Sequence, residues 1–272
     1  MTDLTVIEPP RAWRLLDWRA LWAYRELLWV LAMRDVKVRY KQSVLGAAWA
    51  VIRPLSAMAV FSVIFGQLAK MPSDGLPYPV FVFTALLPWT FFSTTVSASA
   101  QSLVGSSHLI SKVYFPRLII PLASIGAALV DLLVSLAILL LMMALYGVPW
   151  SAQLLAAPLI VLAVGVAALG VGTLLSALTV SYRDFTHITP FLLQIWMYAT
   201  PIVFPLSLVP EKWRWLMALN PMTGLVEAFR SAFLGRPFDM PSIALSAAVS
   251  LAMLVAGVLY FERAERRFAD VI

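Results

Sequence analysis

The sequence predicts an all-α integral membrane protein. Six transmembrane helices are expected, with an N-terminal cytoplasmic amphipathic helix, a short helix in a cytoplasmic loop and re-entrant helices before the last span. Three observations carry the prediction. Hydrophobic residues make up 61% of the 272-residue chain and charged residues only 12%, which is more apolar than a water-facing surface tolerates. Apolar segments of about 20 residues, the length that crosses a bilayer core, recur along the chain. The basic residues are also unevenly placed about those segments. With the N-terminus in the cytoplasm, fifteen of the twenty Lys and Arg fall inside and only Lys70, Lys212, Arg214, Arg230 and Arg236 fall outside, as the positive-inside rule requires.

Residues 1–44 read as a cytoplasmic N-terminal segment and 45–272 as the transmembrane domain. A polar stretch carrying Trp and Arg comes first, without the short apolar core of a signal peptide, so the N-terminus is expected to stay in the cytoplasm. Within 13–33, Trp18, Trp22 and Trp29 share one face at 100° per residue, with Arg14, Arg19 and Arg25 nearby. This pattern predicts a helix lying along the cytoplasmic leaflet. The seven apolar residues 27–33 are too few to span on their own.

The six spans are read as 45–69, 79–102, 117–146, 153–181, 188–205 and 242–261, the fifth being the least regular. An even number of crossings returns the C-terminus to the cytoplasm. Lys37, Arg39 and Lys41 stand at the start of the first span, where they meet anionic headgroups. Arg53 lies about 12 Å along that helix, shallow enough to return its guanidinium to the interface, and Pro54 kinks the helix beside it. An alternative is that this basic knot only anchors topology. Ala168, Gly172 and Ser176, and likewise Ala244, Ala248, Ala252 and Ala256, repeat every four residues and predict close helix packing.

Several chemistries are excluded. The chain has no cysteine, and His108 and His187 are its only histidines, so neither a disulfide nor a metal cluster is expected. The basic residues cluster at span ends without an aromatic-interleaved soluble module, so nucleic acid is not an expected partner. Only Asp131 lies deep in a span, and one carboxylate makes neither a metal site nor an acid/base pair, so no catalytic residue is assigned. Asp131 should face the protein interior, paired with a hydroxyl or backbone group or protonated; a transport role, such as proton coupling, is the alternative.

Three segments suggest function. The second span carries Trp89, Phe91 and Phe92 beside Ser93, Thr94 and Ser97, and the fifth carries Trp196 and Tyr198 between Pro190 and Pro201. Aromatic faces alternating with hydroxyls suit the lining of a path for a sugar chain, whose rings present both C–H surfaces and hydroxyls; interfacial belts or core packing are the alternative. Between 205 and 241, Asn220 and Pro221 read as a cap and first turn and Gly235 as a stop, with Glu227 and Arg230 paired at i, i+3. These residues predict a helical pair at the outer mouth, with Asn220, Glu227 and Arg230 as an outer gate or as structural packing. In 106–117, Leu109, Ile110, Val113 and Tyr114 lie at helical spacing ahead of Pro116, which suits a short helix docking into a partner or resting on headgroups.

The stretch RDVKVRYKQSVLGAAWAVIRPL (34–55) resembles the opening motif of the permease subunits of ATP-binding-cassette polysaccharide exporters, those for O-antigen, capsule and teichoic acid. Arg34, Asp35, Arg39, Tyr40, Leu45, Gly46, Trp49 and Pro54 match it. LISKVYFPR (109–117) is similar to the coupling helix of that family, and NPMTGLVEAFRSAFLG (220–235) to its segment before the last span. Ser106 and His108 depart from the expected asparagine, and Arg53 from the commoner neutral residue.

The resemblance implies a homodimer in a bacterial inner membrane that exports a lipid-linked glycan, with two copies of a separate ABC ATPase binding ATP and Mg and no cofactor in this chain. No G-x-x-x-x-G-K-[ST] loop occurs here, in keeping with a separate motor. It further implies that Ser106, Ser107, His108, Leu109, Ile110, Lys112, Val113 and Tyr114 contact the ATPase. Arg34, Lys37, Arg39, Lys41 and Arg53 become candidates for holding a lipid pyrophosphate or headgroup. The alternatives are an ABC exporter of a drug or other lipid, or a secondary transporter using Asp131.

Overall fold

The computed structural model describes residues 18–41 and 48–271; Arg14, Leu45 and Gly46, named above, lie outside this range. Among the described residues the chain is all helical. Two N-terminal helices, α1 (Trp18–Ala23) and α2 (Arg25–Lys41), precede α3 (Ala48–Phe61), whose end widens into π-helical turns over Ser62–Leu68. Then follow α4 (Tyr78–Gly105), the short α5 (Ser107–Lys112), α6 (Ile119–Ala123), α7 (Ile125–Leu145), α8 (Ala157–Ser181), α9 (Phe185–Tyr198), α10 (Glu211–Ala218), α11 (Pro221–Leu234) and α12 (Met240–Val271).

Five helical stretches are long and apolar enough to cross a membrane: Ala48–Leu68, Tyr78–Gly105, Ile119–Leu145, Ala152–Ser181 and Met240–Arg266. The chain is therefore a multi-pass membrane protein. The predicted span at 188–205 takes a different form. Its helix, α9, has 14 residues, rising about 21 Å, and ends at Tyr198. Pro201 has no N–H to continue the ladder and disfavours α geometry at Thr200. Residues 199–205 continue without regular helix to Val203, whose carbonyl accepts from the Tyr78 hydroxyl at 2.7 Å.

The core is a layer of α4, α8 and α12 running in the same direction. Close approaches set the register: Gly165 meets Phe91 and Gly172 meets Ser99 between α8 and α4, while Gly170 meets Leu254 and Gly257 meets Thr173 between α8 and α12. A Cβ on Gly170 would stand 2.5 Å from the Leu254 backbone nitrogen, so only glycine lets these helices touch. In lipid, where apolar burial drives little association, such backbone proximity supplies much of the packing attraction.

Of the two predicted ridges of small residues, Ala168, Gly172 and Ser176 are buried as expected. The Ala244–Ala248–Ala252–Ala256 ridge is exposed instead, and α12 packs through Ser246, Ser250, Gly257 and Val258. A helix apolar on every side does not show by hydropathy which face it buries.

The two ends of the bundle are tied differently. At one end gather the C-termini of α4, α8 and α12 and the start of α6, where Arg117 Nη1 donates to the Glu265 carbonyl at 2.7 Å. Here α2 buries Leu31 and Ala32, the latter against Gly126 of α7, while Trp22 of α1 and Trp29 of α2 stay exposed. At the other end Arg236 clasps the α3–α4 loop, donating to the Asp74 carboxylate at 2.7 Å and to its backbone oxygen at 2.9 Å.

Candidate functional site

A groove of about 580 Å³ runs between α4 and α9. Trp89, Ser93, Thr94, Ser97 and Gln101 line it from α4, Gln194 and Met197 from α9, and Arg39 from α2. Ser93, Ser97 and Gln101 succeed one another at i, i+4 steps, so one stripe of α4 carries the polar groups. Phe91 and Phe92 do not join them: they are buried at 3% and 0% exposure in the core. Four consecutive helical residues spread over most of the circumference, so Trp89 through Phe92 cannot share a face.

Trp196 is a bracket rather than lining. Its Nε1 donates to Asn220 Oδ1 at 2.7 Å, and Phe92 packs edge-on against its ring at 5.1 Å. Tyr198 is exposed but outside the groove.

Asp131 anchors α2 to α7. Arg39 Nη1 donates to one of its carboxylate oxygens and the Tyr40 hydroxyl to the other. The expected hydroxyl partner is therefore present, joined by an arginine that sequence reasoning had assigned elsewhere; the two residues are 92 apart in sequence, and no local spacing links them. Burial and the neighbouring Asp131 carboxylate push the Tyr40 hydroxyl up to about 12, so it remains a donor at neutral pH.

The basic cluster expected at 34–53 is thereby divided. Arg39 is engaged by Asp131, Arg34 is paired with Asp35 at 2.9 Å, and the Arg53 guanidinium lies 5.8 Å from the Trp49 ring centroid. Lys37 and Lys41 are exposed.

The three residues predicted for the outer gate are brought together around the segment after α9. Asn220 caps α11, its Oδ1 accepting from Met222 N at 2.9 Å, and its Nδ2 donates to Thr200 Oγ1 at 3.0 Å. Gly235 ends α11 at φ +66°, the left-handed conformation expected of a C-terminal glycine. Arg230, 1% exposed, donates to Glu227 Oε1 and to the Ile202 carbonyl, each at 2.6 Å, with its guanidinium 3.9 Å from the Phe81 ring centroid. One buried cation thus joins α11, α4 and the 199–205 segment.

The loop after α4 is partly as expected. The short α5 stops at Lys112, and Val113 is already extended, so Val113 and Tyr114 lie beyond the helix rather than on it. His108, Lys112, Val113 and Tyr114 face outward, Tyr114 with 91% of its surface exposed, and Ser107 and Leu109 are half-buried. Ser106 and Ile110 are buried, Ile110 in the packing with Leu103, Phe115 and the neighbouring helices. Among the described residues no group of three His, Asp or Glu stands close enough to hold a metal ion.

Comparison with known proteins agrees with this architecture. The ABC-2 type transporter family matches residues 26–234. The O-antigen export system permease protein RfbA of Myxococcus xanthus is 34% identical over 258 residues, covering 93% of this chain and 98% of that protein. A protein of the same name from Klebsiella pneumoniae is 27% identical over 248 residues, covering 91% and 95%. The polysialic acid transport protein KpsM of Escherichia coli is 24% identical over 210 residues, covering 74% and 79%. With a family match across most of its length and a relative similar from end to end, this chain belongs to the ABC-2 type transporter family.

Proposed function

We propose that the chain is the permease subunit of an ABC exporter that carries a lipid-linked polysaccharide of the O-antigen class across the bacterial inner membrane. The groove between α4 and α9 supports this reading most directly. Hydroxyls, amides and Trp89 line it beside Arg39, and they match a ligand with many hydroxyls and apolar ring faces. The names of the relatives point to the same cargo class.

In this reading α9, about 21 Å long, and the irregular turns of residues 199–205 together make a sixth crossing. The N- and C-termini are cytoplasmic, α1 and α2 rest on the inner leaflet, and α10 and α11 re-enter at the outer mouth. A second copy closes the groove, since α9 and α3 are largely exposed in a single subunit. Two ATPase subunits, which bind ATP and Mg, press on Val113 and Tyr114 and on the N-terminal helices α1 and α2 from below. The Arg39–Tyr40–Asp131 contact carries that displacement from α2 into α7 as a rigid-body shift. Lys37 and Lys41 meet the phosphates of the lipid carrier, while Arg39 serves the tether. Proton coupling through Asp131 is not favoured, because both its oxygens are engaged.

Reconstitution with the cognate ATPase in proteoliposomes tests the proposal. ATP-dependent movement of a labelled lipid-linked glycan is expected. Uphill transport by the permease without its ATPase, or no transport of any glycolipid, overturns it.

A further inference from the structure

Helix α12 is longer than a bilayer requires. Its 32 residues rise about 48 Å against a hydrocarbon core of roughly 30 Å, and the surplus falls at its C-terminal end, where Glu262, Arg263, Glu265 and Arg266 interrupt the apolar run. That end is built into the subunit. Phe268 is 1% exposed and meets the Phe261 ring edge-on, with centroids 5.4 Å apart. Both belong to an apolar cluster that also takes in Ile110 of α5, Phe115, Ile119 of α6 and Leu31 of α2.

A side chain from the loop after α5 fixes the same end. Arg117, half-buried, donates Nη1 to the Glu265 carbonyl at 2.7 Å, and its Nε stands 4.0 Å from the Glu265 carboxylate. It comes three residues after the exposed Tyr114. Between them Phe115 is buried and Pro116 has a locked φ, which leaves this short stretch little slack. Farther along α12, Leu254 and Gly257 lie against the Gly170 backbone of α8. Interfaces packed this closely transmit a displacement rather than absorb it.

We infer that the cytoplasmic end of α12 takes up the motion of the ATPase, with Arg117 as the positioning residue that ties it to residues 113–117. The inference rests on the reading above, in which an ATPase presses on this loop from below. A displacement of Val113 and Tyr114 carries Phe115 and Arg117 with it. These draw the end of α12 along through Phe268 and the Glu265 carbonyl, and the contacts at Gly170 pass the shift to α8.

The chain has no cysteine, so an environment-sensitive dye on Arg266→Cys, an exposed position of α12, labels that end alone before the ATPase is added. In the assembled complex in nanodiscs, ATP should shift the dye's emission. Arg117→Gln should shrink that shift and raise the ATP hydrolysed per glycolipid moved by roughly 2- to 30-fold, the range for residues that couple distant sites. Arg117→Lys, which keeps the charge and a donor, should restore most of both. Arg263→Gln, which removes the same charge from an exposed position of α12, should change neither. An unchanged melting temperature and retained ATPase show that Arg117→Gln folds and assembles; where it does not, Phe268→Leu reads the same two quantities.

No ATP-dependent shift, a shift indifferent to Arg117→Gln, an equal loss with Arg263→Gln, or hydrolysis and transport falling at a constant ratio overturns the inference. The dye also separates the two proposals, because it reads no cargo. A shift that depends on Arg117 without glycolipid transport keeps the role of α12 and removes the exporter, whereas transport without such a shift keeps the exporter and removes the role of α12.

Discussion

Helices α3 and α4 are neighbours in sequence and similarly apolar, with mean hydropathies of 1.8 and 1.5 in their most apolar stretches. Yet 6% of the first stretch and 78% of the second is buried inside the subunit. Apolarity therefore does not select the core. What distinguishes α4 is its partners: Gly165 and Gly172 of α8 admit Phe91 and Ser99, and the Arg230 guanidinium lies over Phe81. The stretch Ala48–Leu68 meets α4 closely at Gly66, which packs on the Tyr78 ring, but Val60, Val63 and Ile64 remain exposed. In a bilayer that exposure costs nothing, because lipid tails are as apolar as the side chains they meet.

The contrast makes ranked predictions. Arg230→Met leaves Glu227 without its cation and the Ile202 carbonyl without its donor, and should cost about 3–5 kcal/mol, read as lost thermal stability in detergent. Glu227→Gln in the same background should recover part of the loss. Gly170→Val drives a side chain into the Leu254 backbone and should cost roughly 1–3 kcal/mol or more by the same assay.

Asp131→Asn weakens the half-exposed tether to Arg39 and Tyr40 and should cost only about 1 kcal/mol. Its larger effect should be a clear drop in glycolipid-stimulated ATPase activity of the complex, with assembly intact. Lys37→Gln combined with Lys41→Gln should shift stability by less than about 0.5 kcal/mol while lowering the same stimulation; an unchanged rate would remove the two lysines from carrier recognition. Smallest of all, Val60→Leu on the exposed face of α3 should stay within about 0.5 kcal/mol. A loss as large as that of Gly170→Val would mean that α3 packs tightly against a second subunit.

Much of the architecture was legible along the chain because its signals are local. The long apolar runs became spans, Asn220 became a cap and Gly235 a left-handed stop. The polar stripe of α4 was legible in part: Trp89, Ser93, Thr94 and Ser97 do share a groove, whereas Phe91 and Phe92 turn inward because adjacent helical residues diverge by about 100°. The Glu227–Arg230 pair was visible from its spacing, but its reach to Ile202 and Phe81 was not. The Arg39–Tyr40–Asp131 and Arg117–Glu265 contacts had no local signature, since each depends on which helices become neighbours.

By itself the sequence determined that this is a helical membrane protein and roughly where its helices start and stop. Those properties follow from bilayer thickness, backbone hydrogen bonding and capping chemistry, all of which act over a few turns. Only the tertiary structure decided which apolar face became core, which arginine met Asp131, and where α9 gave way to irregular turns. Hydropathy is nearly uniform around these helices, so the choice of face fell to the few glycines and buried polar groups whose partners lie far away along the chain.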